Sequence, residues 1–202
     1  MRLSAEEQDA TVELANIGIS RAARQLSVLL DDEIRIGTPD VVLCESADEV
    51  VAALSHRPEE EVACVYQRLS GELMGQVVLL LAPRDTHALF HNLLGDGVML
   101  HGVDVRAFEH EAMTELGNII ISSCVSAMAD MLRQRIEVSI PRYSEARLDD
   151  LIEDGMSASR AALLIQARLQ AAQREVDGVI ALIFSASVAQ QVLAAVRRIT
   201  AS

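Results

Sequence analysis

Two carboxylate–carboxamide pairs recur in this chain at one fixed offset. Asp9, Glu13 and Asn16, with Pro39 further on, form the first set, and Glu111, Glu115, Asn118 and Pro141 form the second. All four positions shift by 102, and 22 residues separate each Asn from its Pro. On a helix, positions i, i+4 and i+7 fall on one face. Each set therefore presents a Glu and an Asn side by side. The carboxylate can hold a cationic side chain, while a carboxamide both donates and accepts hydrogen bonds and can orient a water molecule without adding charge.

Those side chains need long helices to carry them, and the flanking sequence supplies them. Residues 5–30 read as a helix with an apolar stripe of Leu14, Ile17, Ala22, Leu26, Leu29 and Leu30, and Asp9, Glu13, Asn16, Ser20 and Ser27 on another face. Ile34 to Cys44 is β-prone but interrupted by Gly37-Thr38-Pro39, which predicts two short extended pieces. Ser46 to His56 reads as a short helix capped by Ser46, with Glu49 three residues on. Val62 to Leu69 and Leu73 to Ala82, around Gly71, read as a hairpin. Pro83 opens a helix to about Leu94, stopped by Gly95-Asp96-Gly97.

The second half repeats the order. A helix from about Val105 to Leu132 carries Glu111, Glu115, Asn118 and Ser122 on one face. Arg135 to Tyr143 reads as a strand, Ser144 to Glu153 as a short acidic helix stopped by Gly155, and Ser187 to Arg198 as a closing helix. Between them, helix propensity favours Ala161 to Glu175. The repeat instead demands two strands there, with Gly178-Val179-Ile180-Ala181-Leu182 matching Gly75-Gln76-Val77-Val78-Leu79. The repeat is the stronger constraint. The fold class is α+β, with pseudo-twofold duplicated halves sharing a β-sheet and two long motif-bearing helices on the surface. Residues 1–202 are expected to form a single domain of two repeats, about 1–97 and 105–202, joined through Gly95 to Asp104.

Composition narrows the chemistry. All 17 basic residues are Arg, so P-loop, Schiff-base and Ser-Lys mechanisms have no lysine to use. The formal charge is −13 with no basic block, which disfavours nucleic acid as a partner. Cys44, Cys64 and Cys124 lack metal-site spacing and read as buried thiols of a reducing compartment. No signal-like N-terminus or bilayer-spanning run is evident, so the expectation is a cytoplasmic protein without a membrane partner. His87 and His91 have a metal-compatible spacing, but no Cys or acidic ligand accompanies them, and no metal site or cofactor of the chain's own is assigned. His56, His101 and His110 read as surface or loop residues.

A single Glu-x-x-Asn on a helix is most simply a solvated polar face. Duplication preserves core residues as a matter of course, but it need not preserve polar residues on a helix face. Two copies, each with its Pro, favour function.

The segments DATVELAN and EAMTELGN, each followed by its Pro, resemble the motif of the CheC, CheX and FliY group of bacterial chemotaxis phosphatases. That motif is Asp or Ser, three residues, Glu, two residues, Asn, 22 residues, Pro. Two copies over the whole chain resemble a CheC-like member. Glu111 departs from the preferred Asp or Ser, and Arg21 stands where relatives often carry a small polar residue, placed to pair with Glu13.

The resemblance implies hydrolysis of the aspartyl phosphate on a CheY-type response regulator, with Mg²⁺ held by the regulator. Asn16 and Asn118 would align the attacking water, and Glu13 and Glu115 would pair with the regulator's lysine. Asp9 and Glu111 would help dock the helices, while Pro39 and Pro141 are structural. The second site is expected to be the stronger. The alternative is a weakly catalytic or non-catalytic regulatory module for the phosphorylated regulator, the deamidase CheD, or both, with Asp149 and Asp150 of the acidic helix as a docking surface. A phosphate-sink decoy and a structural flagellar-switch role are further options that fit less well.

Overall fold

The computed structural model describes residues 3–55, 61–94, 104–156, 162–172 and 177–200. Helix α1 runs Ala5–Leu30 and begins in a reciprocal cap: the Glu7 amide donates to Ser4 Oγ (3.2 Å) and the Ser4 amide to Glu7 Oε2 (2.7 Å). It ends at Asp31, in the left-handed region at φ 48°. Helix α4, Val105–Leu132, starts on the Asp104 carboxylate and ends at Arg133, φ 52°. Asp31 and Arg133 are again 102 apart, so the repeat extends to both helix ends.

Strands β1 (Ile34–Ile36) and β2 (Asp40–Cys44) flank the first Pro; β5 (Ile136–Val138) and β6 (Arg142–Arg147) flank the second. The hairpins are β3 (Glu61–Gly71) with β4 (Gly75–Leu81), and β7 (Ala162–Ala171) with β8 (Asp177–Ser185). The helix-prone stretch after residue 161 is thus a strand: alternate residues Leu163, Ile165, Ala167 and Leu169 pack into one core cluster, while Ala162 and Leu164 pack into the other. Burial on both faces overrides local propensity.

One antiparallel sheet runs β1-β7-β8-β4-β3-β5, with β2 also on β7 and β6 also on β3. Each repeat therefore lends its broken strand to the hairpin of the other. The register makes equivalent positions explicit. Leu69 faces Val138 and Gly75, and Leu169 faces Ile36 and Gly178. The anticipated match of Gly75 with Gly178 holds.

Helices α1 and α4, with α3 (Pro83–Leu94) and α6 (Ala186–Thr200), cover one face of the sheet over the larger core. Helices α2 (Ala47–Leu54) and α5 (Leu148–Met156) cover the other. Gly18 lets α1 approach α4, because a Cβ there would lie 2.6 Å from Met128 Cγ. Cys44, Cys64 and Cys124 are buried free thiols, and burial pushes Cys44 up to about 11 and the other two up to about 12.

Several expectations change. Arg135 to Tyr143, read as one strand, is broken into β5 and β6, and Ile17 and Leu29 of the expected apolar stripe are exposed. Ser144–Arg147 is strand, because those residues complete the ladder of β6 on β3, and the acidic helix starts only at Leu148. It continues through Gly155 to Met156. Helix α4 also meets the length and hydropathy of a membrane span (mean hydropathy 1.3 over the window), although half of that window is buried inside the protein. The proposed stop at Gly95-Asp96-Gly97, as well as His56 and His101, lies outside the described residues.

Candidate functional site

Both motif faces point away from the core. In α1, residues 14, 15, 18, 19 and 22 are buried while Asp9, Glu13 and Asn16 are exposed. In α4, Met113, Leu116, Gly117, Ile120 and Ile121 are buried, and Glu111 and Glu115 are exposed. Neither Glu13 nor Glu115 has an ion-pair partner among the described residues, so each carboxylate is available to a cation from outside. The anticipated Arg21–Glu13 pair does not form. Arg21 instead reaches Asp130 of α4 at 3.9 Å, a solvated contact of little energetic weight.

The two asparagines differ. Asn16 is exposed and makes no side-chain hydrogen bond among the described residues. Asn118 is half-buried, and its Oδ1 accepts from Gln67 Nε2 at 3.1 Å and, at a longer 3.4 Å, from the Ser122 hydroxyl. Gln67 comes from β3, in the other repeat. Its Nε2 also donates to the carbonyl of Ser139 at 2.7 Å, in the break between β5 and β6. Ser139 is itself fixed on β3: its amide donates to the Arg68 carbonyl (2.9 Å) and its hydroxyl accepts from the Arg68 amide (3.0 Å).

This chain of bonds sets the direction of the Asn118 amide. A backbone carbonyl only accepts, so the Gln67 atom beside Ser139 must be the NH₂. The same nitrogen faces Asn118, so Asn118 must turn its oxygen toward Gln67 and its NH₂ away from it. Gln67 is 1 % exposed, and its own Oε1 is buried with no hydrogen-bond partner among the described residues. An unmet buried carbonyl costs about 1–3 kcal/mol. Gln67 thus sits on the apolar inner face of β3, between Val65 and Leu69, at an energetic disadvantage.

Beside the second motif lies a groove of about 910 Å³ lined by Phe108, His110, Glu111, Thr114, Glu115, Pro141, Arg142 and Tyr143. His110 meets Tyr143 edge to face at 4.5 Å between centroids, and the Tyr143 hydroxyl donates to Glu145 at 2.6 Å. His110 is thus a surface residue, as expected, exposed on α4 with its ring against Tyr143 at the groove wall. His87 pairs with buried Glu109 at 2.7 Å. Pro39 is buried and Pro141 half-buried, both at the strand breaks beside their helices.

The structure does not bring Asp149 and Asp150 to the motif face. They open α5, across the sheet from α1 and α4. Asp149 is occupied by Arg147 Nε (3.0 Å), and its carboxyl is held below the usual range by that guanidinium. Sequence reasoning missed Gln67, although a Gln at an inward position of an alternating strand was a usable signal.

Comparisons with known proteins agree with this arrangement. The model of the CheC-like family matches residues 6–43 and 108–145, once in each repeat. The CheY-P phosphatase CheC of Bacillus subtilis (strain 168) is 26 % identical over 152 residues, covering 75 % of this chain and 72 % of that protein. Among solved structures, Thermotoga maritima FliY superposes with a TM-score of 0.76 at 20 % identity, covering 98 % of this chain and 99 % of that one. The CheX-CheY-BeF3-Mg+2 complex from Borrelia burgdorferi gives 0.57 at 12 % identity, over 86 % and 99 %. The FliM middle domain from H. pylori gives 0.65 at 10 % identity, over 96 % and 99 %, so the fold is common to proteins of several names. The CheC-like family pattern thus occurs once in each repeat, each time with its Glu/Asn pair on a helix face turned from the core, and the chain is similar to CheC in sequence and to FliY and CheX in fold.

Proposed function

We propose that this protein hydrolyses the aspartyl phosphate of a CheY-type response regulator. The observation that carries the reading is the pair of outward Glu/Asn faces, one of them with its carboxamide anchored beside an open groove. The names of the similar proteins, a CheY-P phosphatase and a CheX–CheY complex, support the same substrate.

In this reading Glu13 and Glu115 each receive the lysine of the regulator's active site as a charge-assisted pair. This chain has no lysine, so that cation comes from the partner. Asn118 directs its NH₂ outward to a phosphoryl oxygen. Its Oδ1 retains an acceptor position held only by the long Ser122 contact, which a water hydrogen can take. That water attacks phosphorus in line, the P–O bond to the aspartyl carboxyl breaks, and the water's proton leaves with inorganic phosphate. The acyl phosphate already has a good leaving group, so positioning is the main requirement. The Mg²⁺ that spreads phosphoryl charge belongs to the regulator. Asn16 occupies the same place on α1. Asp9 and Glu111 help dock the helices. The working unit is residues 1–202 taken as two repeats, acting in the cytoplasm where such regulators work.

A regulatory binding role, with CheD or the phosphorylated regulator as partner, is favoured by one observation. Acidic α5, with exposed Asp150, lies across the sheet from the motif helices, so a partner bound there leaves both motifs open. The deciding experiment follows phosphate loss from a phosphorylated CheY-type regulator with Mg²⁺, comparing no addition, wild type and the Asn16→Ala/Asn118→Ala variant. Acceleration by wild type alone supports hydrolysis through these amides; binding without acceleration by wild type supports the regulatory role.

A further inference from the structure

We propose that Gln67 is a positioning residue for Asn118 and that it makes the second motif the faster hydrolytic site, because the first repeat's motif has no equivalent. The inference rests on the hydrolase reading and deepens it.

The equivalence is fixed by the sheet register. Leu69 pairs with Gly75 and Val138; Leu169 pairs with Gly178 and Ile36. Two residues back on the same strands stand Gln67, opposite Val77, and Ala167, opposite Ile180. Both are buried on the face that supports a motif helix. Gln67 supports α4, where it fixes the Asn118 amide. Ala167 has no polar group to offer, and Asn16 is correspondingly exposed and unbound among the described residues. Gly37 stands where Ser139 does, donating to Arg168 as Ser139 donates to Arg68 (both 2.9 Å), so the backbone that would seat a glutamine amide is retained. Only the side chain is missing.

Two features set Gln67 apart from ordinary core packing. Its Oε1 is unsatisfied, so an apolar residue of similar size would stabilise the strand at least as well. Its bond to Ser139 also removes the freedom of its amide to flip, and through it that of Asn118. An Asn free to rotate spends part of its time with oxygen and nitrogen exchanged, a state in which water and phosphoryl oxygen meet the wrong groups. Anchoring therefore raises turnover without changing affinity for the regulator.

The test separates kcat from KM in two backgrounds, using a CheY-type regulator phosphorylated by a small-molecule phosphodonor with Mg²⁺. In Asn16→Ala, where only the second motif works, Gln67→Met lowers kcat by about tenfold to a hundredfold with KM unchanged and thermal stability not reduced. In Asn118→Ala, where only the first works, Gln67→Met changes nothing. Ala167→Gln, added to Asn118→Ala, raises kcat, a gain that no structural role explains. Equal kcat with and without Gln67→Met in the Asn16→Ala background overturns the inference, as does an equal fall in both backgrounds. If the Met variant melts early, Gln67→Leu and the Ala167→Gln gain decide the matter. Failure of the hydrolase reading itself looks different: wild type then fails to accelerate phosphate loss, or the double Asn variant accelerates it equally well.

Discussion

Gly117 lies so close to Val65 that a Cβ built on it would come within 2.5 Å of the valine Cγ1. The contact seats α4 on β3 one residue before Asn118 and two before Gln67, so it sets the distance across which those two amides meet. Gly117→Ala is expected to lift the helix, destabilise the protein by about 1–3 kcal/mol and lower turnover at the second motif. Val65→Ala should compensate in part when combined with it. A double-mutant cycle on denaturant melts and on kcat measures both.

Gly18 makes the contrasting case. Its virtual Cβ meets Met128, 2.6 Å from Cγ and 3.2 Å from Sδ, and the Cys124 carbonyl at 3.1 Å; the Met side chain can move aside and the carbonyl need give by only a few tenths of an ångström. Ala is also favoured over Gly within a helix by about 1 kcal/mol. Gly18→Ala should therefore cost distinctly less than Gly117→Ala in the same melts and leave kcat at the second motif unchanged.

Acid should weaken the end of α1 through Glu7. The Ser4 amide and the Arg197 guanidinium hold its carboxyl below its ordinary value of 4.5. A carboxyl depressed on folding stabilises the protein above its unfolded pKa, and that contribution is lost as pH falls through the folded value. Glu7→Gln should be less stable than wild type at pH 6, with the gap closing as pH drops well below 4.5. Tm measured across that range tests the sign.

The thiols should be silent in the folded protein. Burial raises Cys64 and Cys124 to about 12 and Cys44 to about 11, so almost no thiolate exists at pH 8. Alkylation at that pH should label none of the three until denaturant is added, and then all three. Rapid labelling of Cys44 alone would mean that α2 opens.

Much of this was legible in the residues. The motif spacing placed both helices, Ser46 and Glu49 placed the cap of α2, and the repeat outvoted helix propensity at Ala162–Ala171. Local propensity failed there because burial on both sheet faces is a property of the partners, not of the strand. It failed again at Ser144–Arg147, polar enough for an acidic helix, where pairing with β3 sets the backbone. The candidate site was readable as far as its helices. Glu13, Asn16, Glu115 and Asn118 announce themselves by spacing, but Gln67 lies 51 residues before Asn118 in a different repeat. Only strand register joins them, and register is not written in either motif.

The exchange of broken strands between the hairpins bears on how the two copies can diverge. Each motif rests on a strand encoded by the other repeat, so a change in one copy's hairpin reaches the motif of its sibling. Aligning the two motifs alone would make them twins. Their inequality is recorded a hundred codons apart, at Gln67 and Ala167, and selection can tune one site against the other without touching a single motif residue.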